Sequence, residues 1–214
     1  MKLHPFQSAA SFIPPRLTPP ALRRAAACCT GCDLYRTATQ TVFGEGPRHP
    51  SIVFVGEQPG DQEDRMGRPF VGPAGALLNR ALAEAGIARD KVYVTNAVKH
   101  FKWEPQGKKR KHKRPSAAEV AACRPWLQAE VSVLKPHALV CLGVTAAQSV
   151  FAKTVRLSEL RGRPWDTALA THVFVTIHPS AILRYPDAAA RSEAFGRLVE
   201  DLRRIGRFVR NQAA

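Results

Sequence analysis

Four consecutive β-formers, Ile52-Val53-Phe54-Val55, stop at Gly56-Glu57-Gln58-Pro59-Gly60. A short, wholly apolar run that ends on Gly and Pro describes a buried strand. Further on, past the Gly- and Pro-rich stretch Gly67–Gly75, Ala76-Leu77-Leu78-Asn79-Arg80-Ala81-Leu82 has the spacing of an amphipathic helix. The loop between them lies at the carboxyl end of a strand, where open α/β sheets hold their ligands. It collects Glu57, Gln58, Asp61, Gln62, Glu63 and Asp64 within a chain of formal net charge +15. A turn that only has to be solvated has little reason to gather acids and amides in this way, so the loop is the first candidate for a functional site.

The same alternation continues along the chain. Val92-Tyr93-Val94-Thr95, Ala138-Leu139-Val140-Cys141-Leu142 and Val173-Phe174-Val175-Thr176-Ile177 read as strands, and Thr39–Phe43 as a strand or extended segment. Helices are expected over 21–28, with Thr18 as N-cap and Pro19 at the first position, over 74–85, and from a Ser116-x-x-Glu119 capping box to about Leu134. A short helix follows Gly143, and a last one covers about 187–205. Strands alternating with helices define an α/β class with one mainly parallel sheet flanked by helices. Asn96, Gly143 and His178 directly follow strands, and Glu57 follows one after a single glycine. The strand ends of a parallel sheet share one edge, so an acid, an amide and an imidazole converge there despite their distance in sequence.

At 214 residues the chain is long enough for one domain with a substantial core. The expected organisation is a Pro-rich arm over 1–20 and a single domain over 21–210. No apolar run reaches the roughly 18 residues that crossing a membrane takes, and no secretory h-region precedes the domain. These features lead to the expectation of a cytoplasmic monomer. The excess of 32 Lys and Arg over 17 Asp and Glu is clustered, which points to a polyanionic partner, nucleic acid foremost. Residues 108–114 set six cations around the imidazole of His112, and dense positive charge disfavours imidazolium. Five cysteines, an odd number, argue against a disulfide framework. Cys29-Thr30-Gly31-Cys32 has metal-ligand spacing and needs two further ligands. Cys123 falls in a helix, whereas Cys141 in its apolar strand reads as a small buried hydrophobe.

Taken together, Gly56-Glu57-Gln58-Pro59-Gly60, Gly67–Gly75, Asn96-Ala97-Val98-Lys99, Ala122-Cys123-Arg124-Pro125-Trp126 and His178-Pro179-Ser180 resemble the iron–sulfur uracil-DNA glycosylases related to family 4. The motifs stand in that family's order across about residues 25 to 205. Two details are similar to its UdgX branch: Gln58, where family-4 enzymes have Ala, and the basic stretch bearing His112. The resemblance implies the three-layer glycosylase fold and a 4Fe-4S cluster on Cys29, Cys32, Cys123 and His100, with His100 replacing a family-4 cysteine. A zinc ion on the same ligands is the alternative.

It further implies a substrate of uracil-containing DNA, single- or double-stranded, whose target nucleotide is flipped out of the stack. Phe70 would stack on the uracil, Asn96 would read its edge, and Gln58, Gly60 and Ser180 would help to hold it. His178 would hydrogen-bond the departing base, and Glu57 and Asp61 would stabilise the sugar cation. Lys109, Arg110, Lys111, Lys113 and Arg184 would contact phosphates. His112 would attack C1′ and leave a covalent protein–DNA adduct. Two rivals stand beside this expectation: an ordinary hydrolytic glycosylase that releases its DNA, and a non-catalytic iron–sulfur module that binds DNA.

Overall fold

The computed structural model describes residues 8–213; the first seven residues of the proline-rich arm lie outside them. The strand Ile52–Gly56 (β1) is buried along its whole length, as an apolar run without alternation requires when both faces of a sheet are covered. It pairs in parallel with Val92–Asn96 (β2) on one side and Ala138–Leu142 (β5) on the other, and Val173–Thr176 (β6) adds to β5, giving the order β2-β1-β5-β6. The β1–β2 register sets Gly56 opposite Asn96. β1 divides its side chains between two layers. Ile52 and Phe54 pack with Leu78 and Leu82 of Pro73–Glu84 (α3) and with Leu198 and Leu202 of Ala188–Ala213 (α8). Val53 and Val55 pack with Leu127 and Val131 of Ala117–Leu134 (α4) and with Ala146, Ala147 and Val150 of Val144–Phe151 (α5). Burial of each such side chain contributes about 1.5–3 kcal/mol, so the central sheet and its two helical layers carry most of the fold's stability. Among the described residues no helix is long and apolar enough to cross a membrane.

Local signals hold where they were strongest. Thr18 caps Pro19–Ala26 (α1) by accepting from Ala21 N–H, and Ser116 and Glu119 form both halves of the capping box of α4. Departures have identifiable causes. The acidic loop contains a short helix, Asp61–Met66 (α2), with three acids in its first turn, where the helix dipole favours them. Thr39–Phe43 joins no sheet: Val42 N–H donates to the Lys99 carbonyl, and the side chain of Phe43 turns into a third core around Trp126. The arm is not irregular beyond residue 8, because Ala9–Phe12 forms a 3₁₀ turn with Ala9 buried in that third core. The last helix runs past 205 because Leu198, Leu202, Ile205 and Val209 prolong its apolar stripe. The basic run is half of an antiparallel hairpin, Trp103–Gln106 (β3) with Lys109–His112 (β4). Gly107, at φ +58°, supplies the left-handed first turn residue that a two-residue hairpin loop demands.

Candidate active site

At the carboxyl edge of the sheet a cleft of about 900 Å³ opens between the strand exits. Glu57 enters it from the end of β1, Asn96 from β2, Gly143 and Thr145 from the turn after β5, and His178 from the end of β6. The hairpin brings Lys111 and His112 over its mouth, and α2 with the following loop contributes Asp61 and Phe70. The expected convergence of acid, amide and imidazole is therefore present.

One wall is aromatic. Phe70 holds a left-handed backbone (φ +55°), unusual for an aromatic residue and one that a surrounding structure must enforce. Glu63 does so in part by accepting the Gly72 N–H at 3.0 Å. The Phe70 ring stacks toward His178 with centroids 6.2 Å apart. A side chain at Gly56 would put its Cβ 2.3 Å from Asn96 Oδ1 and 2.8 Å from Phe70 Cζ, so only glycine lets the amide and the aromatic ring share this space. Asn96 is 3 % exposed as a residue, and its side-chain amide makes no protein hydrogen bond among the described residues and faces the cleft. It is left to pair with whatever occupies the cleft.

His178 lies on the same wall. Its Nδ1 accepts from the Ser180 N–H at 3.1 Å and lies 2.8 Å from Ser180 Oγ, which puts the ring proton on Nε2. Burial, with Arg184 and His112 adding to it, pushes its imidazole down to about 4. His178 is thus a neutral N–H donor at neutral pH.

On the facing side, Glu57 is held through one oxygen. Thr145 donates to its Oε2 at 2.5 Å, and Arg114, which donates to Thr145 at 3.1 Å, stands 3.9 Å from the same oxygen. Oε1 faces His112, whose Nε2 is 3.7 Å away. Thr145 and Arg114 carry no motif that marked them in the sequence, beyond the place of Thr145 two residues after the Gly143 strand exit. Gln58 is buried, and its amide is committed to the hairpin instead of lying open to a base. Its Oε1 accepts from Lys102 N–H at 3.1 Å, and its Nε2 donates to the Lys113 carbonyl at 2.9 Å. Nε2 also lies 3.2 Å from the Lys102 carbonyl and 2.9 Å from His112 Nε2; an amide nitrogen only donates, so a hydrogen bond to His112 requires the lone pair to sit on that ring nitrogen. Partial burial first, and Arg184 after it, lower the His112 imidazole against the pull of Glu57. The direction is the expected one, but the cause is desolvation and a cation across the cleft, not the lysines beside His112 in sequence.

Two further assignments change. Arg110 is not a free phosphate contact: it binds Asp61, donates to Asp64 Oδ2 at 2.6 Å, and its side chain is only 13 % exposed. It clamps the hairpin to α2 and lies near the Phe101 and Trp103 rings. Asp61 is correspondingly occupied: burial raises its carboxyl, but Arg65 and Arg110 outweigh that and hold it below the usual range. A carboxylate already paired with two guanidiniums has little charge left for a sugar cation. Glu63, also on the cleft wall, accepts the Gly72 N–H, so among the lining acids Glu57 keeps one oxygen facing the cleft's His112. Among the other cations, Lys109 and Lys111 are exposed, Lys113 pairs with Glu104 at 3.1 Å, and Arg184 lines the cleft, 3.4 Å from Ser180 Oγ.

Away from the cleft, Cys29, Cys32 and Cys123 lie buried in the third core. Trp126 Nε1–H donates to Cys29 Sγ and Lys99 N–H to Cys123 Sγ, both at 3.3 Å. Burial pushes the Cys32 thiol up to about 11 and the Cys123 thiol up to about 12. Beside Cys123, Arg124 Nε is buried with no partner. N–H donors directed at clustered sulfurs suit metal-bound thiolates in kind. His100 is buried, and its Nε2 is 2.9 Å from Thr41 Oγ1. The side chains are not drawn together as a finished centre: among the described residues no three His, Cys, Asp or Glu groups stand at metal-holding distance.

At the exits of its parallel sheet the chain thus combines an amide, a carboxylate and an imidazole beside an aromatic wall. Residues 43–203 match the family model of the uracil DNA glycosylase superfamily, and the chain belongs to that superfamily. It is similar to the type-4 uracil-DNA glycosylase of Thermotoga maritima, with 40 % identity over 186 residues that cover 86 % of this chain and 91 % of the relative. The type-4 enzyme of Archaeoglobus fulgidus is 35 % identical over 83 % of this chain and 86 % of its own. A type-5 uracil-DNA glycosylase of Pyrobaculum aerophilum is 29 % identical over 64 % of each.

Proposed function

We propose that the protein is a uracil-DNA glycosylase that excises uracil from DNA and is then captured by the sugar it has uncovered, through His112. The observation that carries this reading is the grouping of Glu57 Oε1, His112 Nε2 and a neutral His178 around one cleft beside an unpartnered Asn96 amide. A flipped uracil stacks on Phe70. Asn96 donates to O4 and accepts from N3–H, a pattern that cytosine inverts. As the glycosidic bond breaks, its electron pair leaves on uracil, where His178 Nε2–H hydrogen-bonds the growing negative charge. Glu57 Oε1 lies where positive charge builds on the sugar. The His112 Nε2 lone pair then forms a bond to C1′, and the imidazole loses its Nδ1 proton to solvent. Lys109, Lys111, Lys113 and Arg184 hold phosphates of the strand.

A turnover hydrolase, in which water takes the place of His112, is supported about equally by the similarity to type-4 relatives. A denaturing gel after incubation with a uracil-containing oligonucleotide separates the two readings: a retained protein–DNA band belongs to the first, and free abasic DNA to the second. An absence of uracil release contradicts both and leaves a DNA-binding module.

Asn96→Asp is expected to lower uracil excision by about 5- to 150-fold, the effect of losing a base contact of about 1–3 kcal/mol. Single-turnover rates measure this, and an unchanged rate removes Asn96 from base recognition.

Cys29, Cys32 and Cys123, with His100 as the fourth ligand, would hold a 4Fe-4S cluster that fixes the N-terminal segment to α4; when bound, such a cluster supplies a structural anchor and carries no step of the excision. Protein prepared without oxygen is expected to be brown and to contain iron and sulfide. Zinc without iron contradicts this and identifies the alternative metal.

A further inference from the structure

A buried lysine lies beneath the cleft. Lys99 Nζ donates to Thr95 Oγ1 at 2.7 Å, to the main-chain carbonyl of Asn96 at 2.8 Å and to Glu130 Oε2 at 2.5 Å. The side chains of Lys99 and Glu130 are each 1 % exposed. Glu130 Oε1 in turn accepts from Tyr93 Oη at 2.9 Å and Gly44 N–H at 3.2 Å. Removing two ions from water is costly, and well-packed apolar residues often serve stability as well or better. Stability alone therefore gives a poor reason for this fully buried pair.

The position of the pair suggests another reason. Asn96 lies at the end of β2, and no protein hydrogen bond holds its side-chain amide among the described residues, so its aim depends on its backbone and on the packing around it. That backbone is fixed from two sides. Ala97 and Val98 donate to the carbonyls of Gly56 at 2.9 Å and Glu57 at 3.0 Å, while the Lys99 ammonium holds the carbonyl of Asn96 itself. A charge-assisted bond is stronger and more restrictive than a neutral one.

We propose that Lys99, held in place by Glu130, is a positioning residue for base recognition, orienting the Asn96 peptide so that its side-chain amide meets the base edge. This rests on the reading of the cleft as a uracil site. The test is the double variant Lys99→Met/Glu130→Gln, which removes both charges and leaves no buried ion alone. Single-turnover excision and inhibition by free uracil are both expected to weaken by about 10- to 100-fold, the scale of an ångström-sized misplacement. Binding of the same oligonucleotide with thymine in place of uracil is expected to stay unchanged. Equal losses in uracil-dependent and uracil-independent binding, or no loss at all, overturn the proposal.

Should the double variant not fold, wild-type protein labelled with ¹⁵N-lysine supplies a second test. The Lys99 ammonium resonance, protected from exchange by burial, is expected to shift when free uracil is added; a resonance indifferent to saturating uracil overturns the proposal. Wild-type protein that neither releases nor binds uracil removes the reading of the cleft, and this inference with it. Wild-type activity with an unaltered double variant removes this inference alone.

Discussion

Replacing His112 with serine is expected to abolish the denaturation-resistant protein–DNA band while uracil release continues. The two effects separate because they belong to successive events. In the proposed mechanism glycosidic cleavage is driven by charge stabilisation on the departing base by His178 and on the sugar by Glu57, and His112 contacts neither directly. Once the cation exists, capture is a competition between nucleophiles. A group held in place can reach an effective molarity of roughly 10⁵ M or more, against about 55 M for water, so a tethered imidazole wins when its lone pair is available. The proposed capture draws on two observations: Gln58 Nε2 lies 2.9 Å from His112 Nε2, and partial burial lowers the imidazole below its ordinary pKa. The proposed bond is expected to persist because imidazole on C1′ is a poorer leaving group than the uracil it replaces. Serine at 112 leaves room for a water, and the variant is expected to turn over. A retained band in His112→Ser, or a deoxyribose remnant on a peptide without His112, overturns the assignment.

Glu57→Gln is expected to lower uracil release and adduct formation together, by about 10²–10³-fold, the scale of removing one preorganised electrostatic group from a reacting site. The amide keeps the shape of the carboxylate and can still accept from Thr145, so the loss reports the charge and not the packing. A common loss follows from order: without the cation there is nothing for His112 to capture. Asp61→Asn is expected to do less to catalysis, since Asp61 is already paired with Arg65 and Arg110. Single-turnover rates for release and for band formation measure both variants. A Glu57→Gln protein that forms adduct at the wild-type rate contradicts the role of this carboxylate.

The parts of the fold legible in the sequence were those with redundant local signals. β1 announced itself by an apolar run, α4 by its capping box and α1 by Thr18 and Pro19, and each lies within a residue or two of its expected bounds. The convergence at the strand exits followed from the logic of a parallel sheet. What the sequence hid depends on contacts between distant segments. The β3–β4 hairpin has almost no apolar alternation, since it is held by Arg110 on α2 and by Gln58 at its base and not by a core of its own. For the same reason Arg110 read as a phosphate contact, because nothing local shows that Asp61 and Asp64 claim it. The orientation of Glu57 depends on Thr145, 88 residues away. Lys99 and Glu130 likewise look like solvated charges until the fold brings them together.

The most direct test of the central claim counts uracil and adduct in one reaction. Wild-type protein is mixed with excess uracil-containing oligonucleotide, free uracil is quantified, and the products are resolved on a denaturing gel. The account expects release to stop at about one uracil per protein molecule, with the same amount of protein shifted into a covalent band. Release of many uracils per protein molecule with no retained band would contradict it.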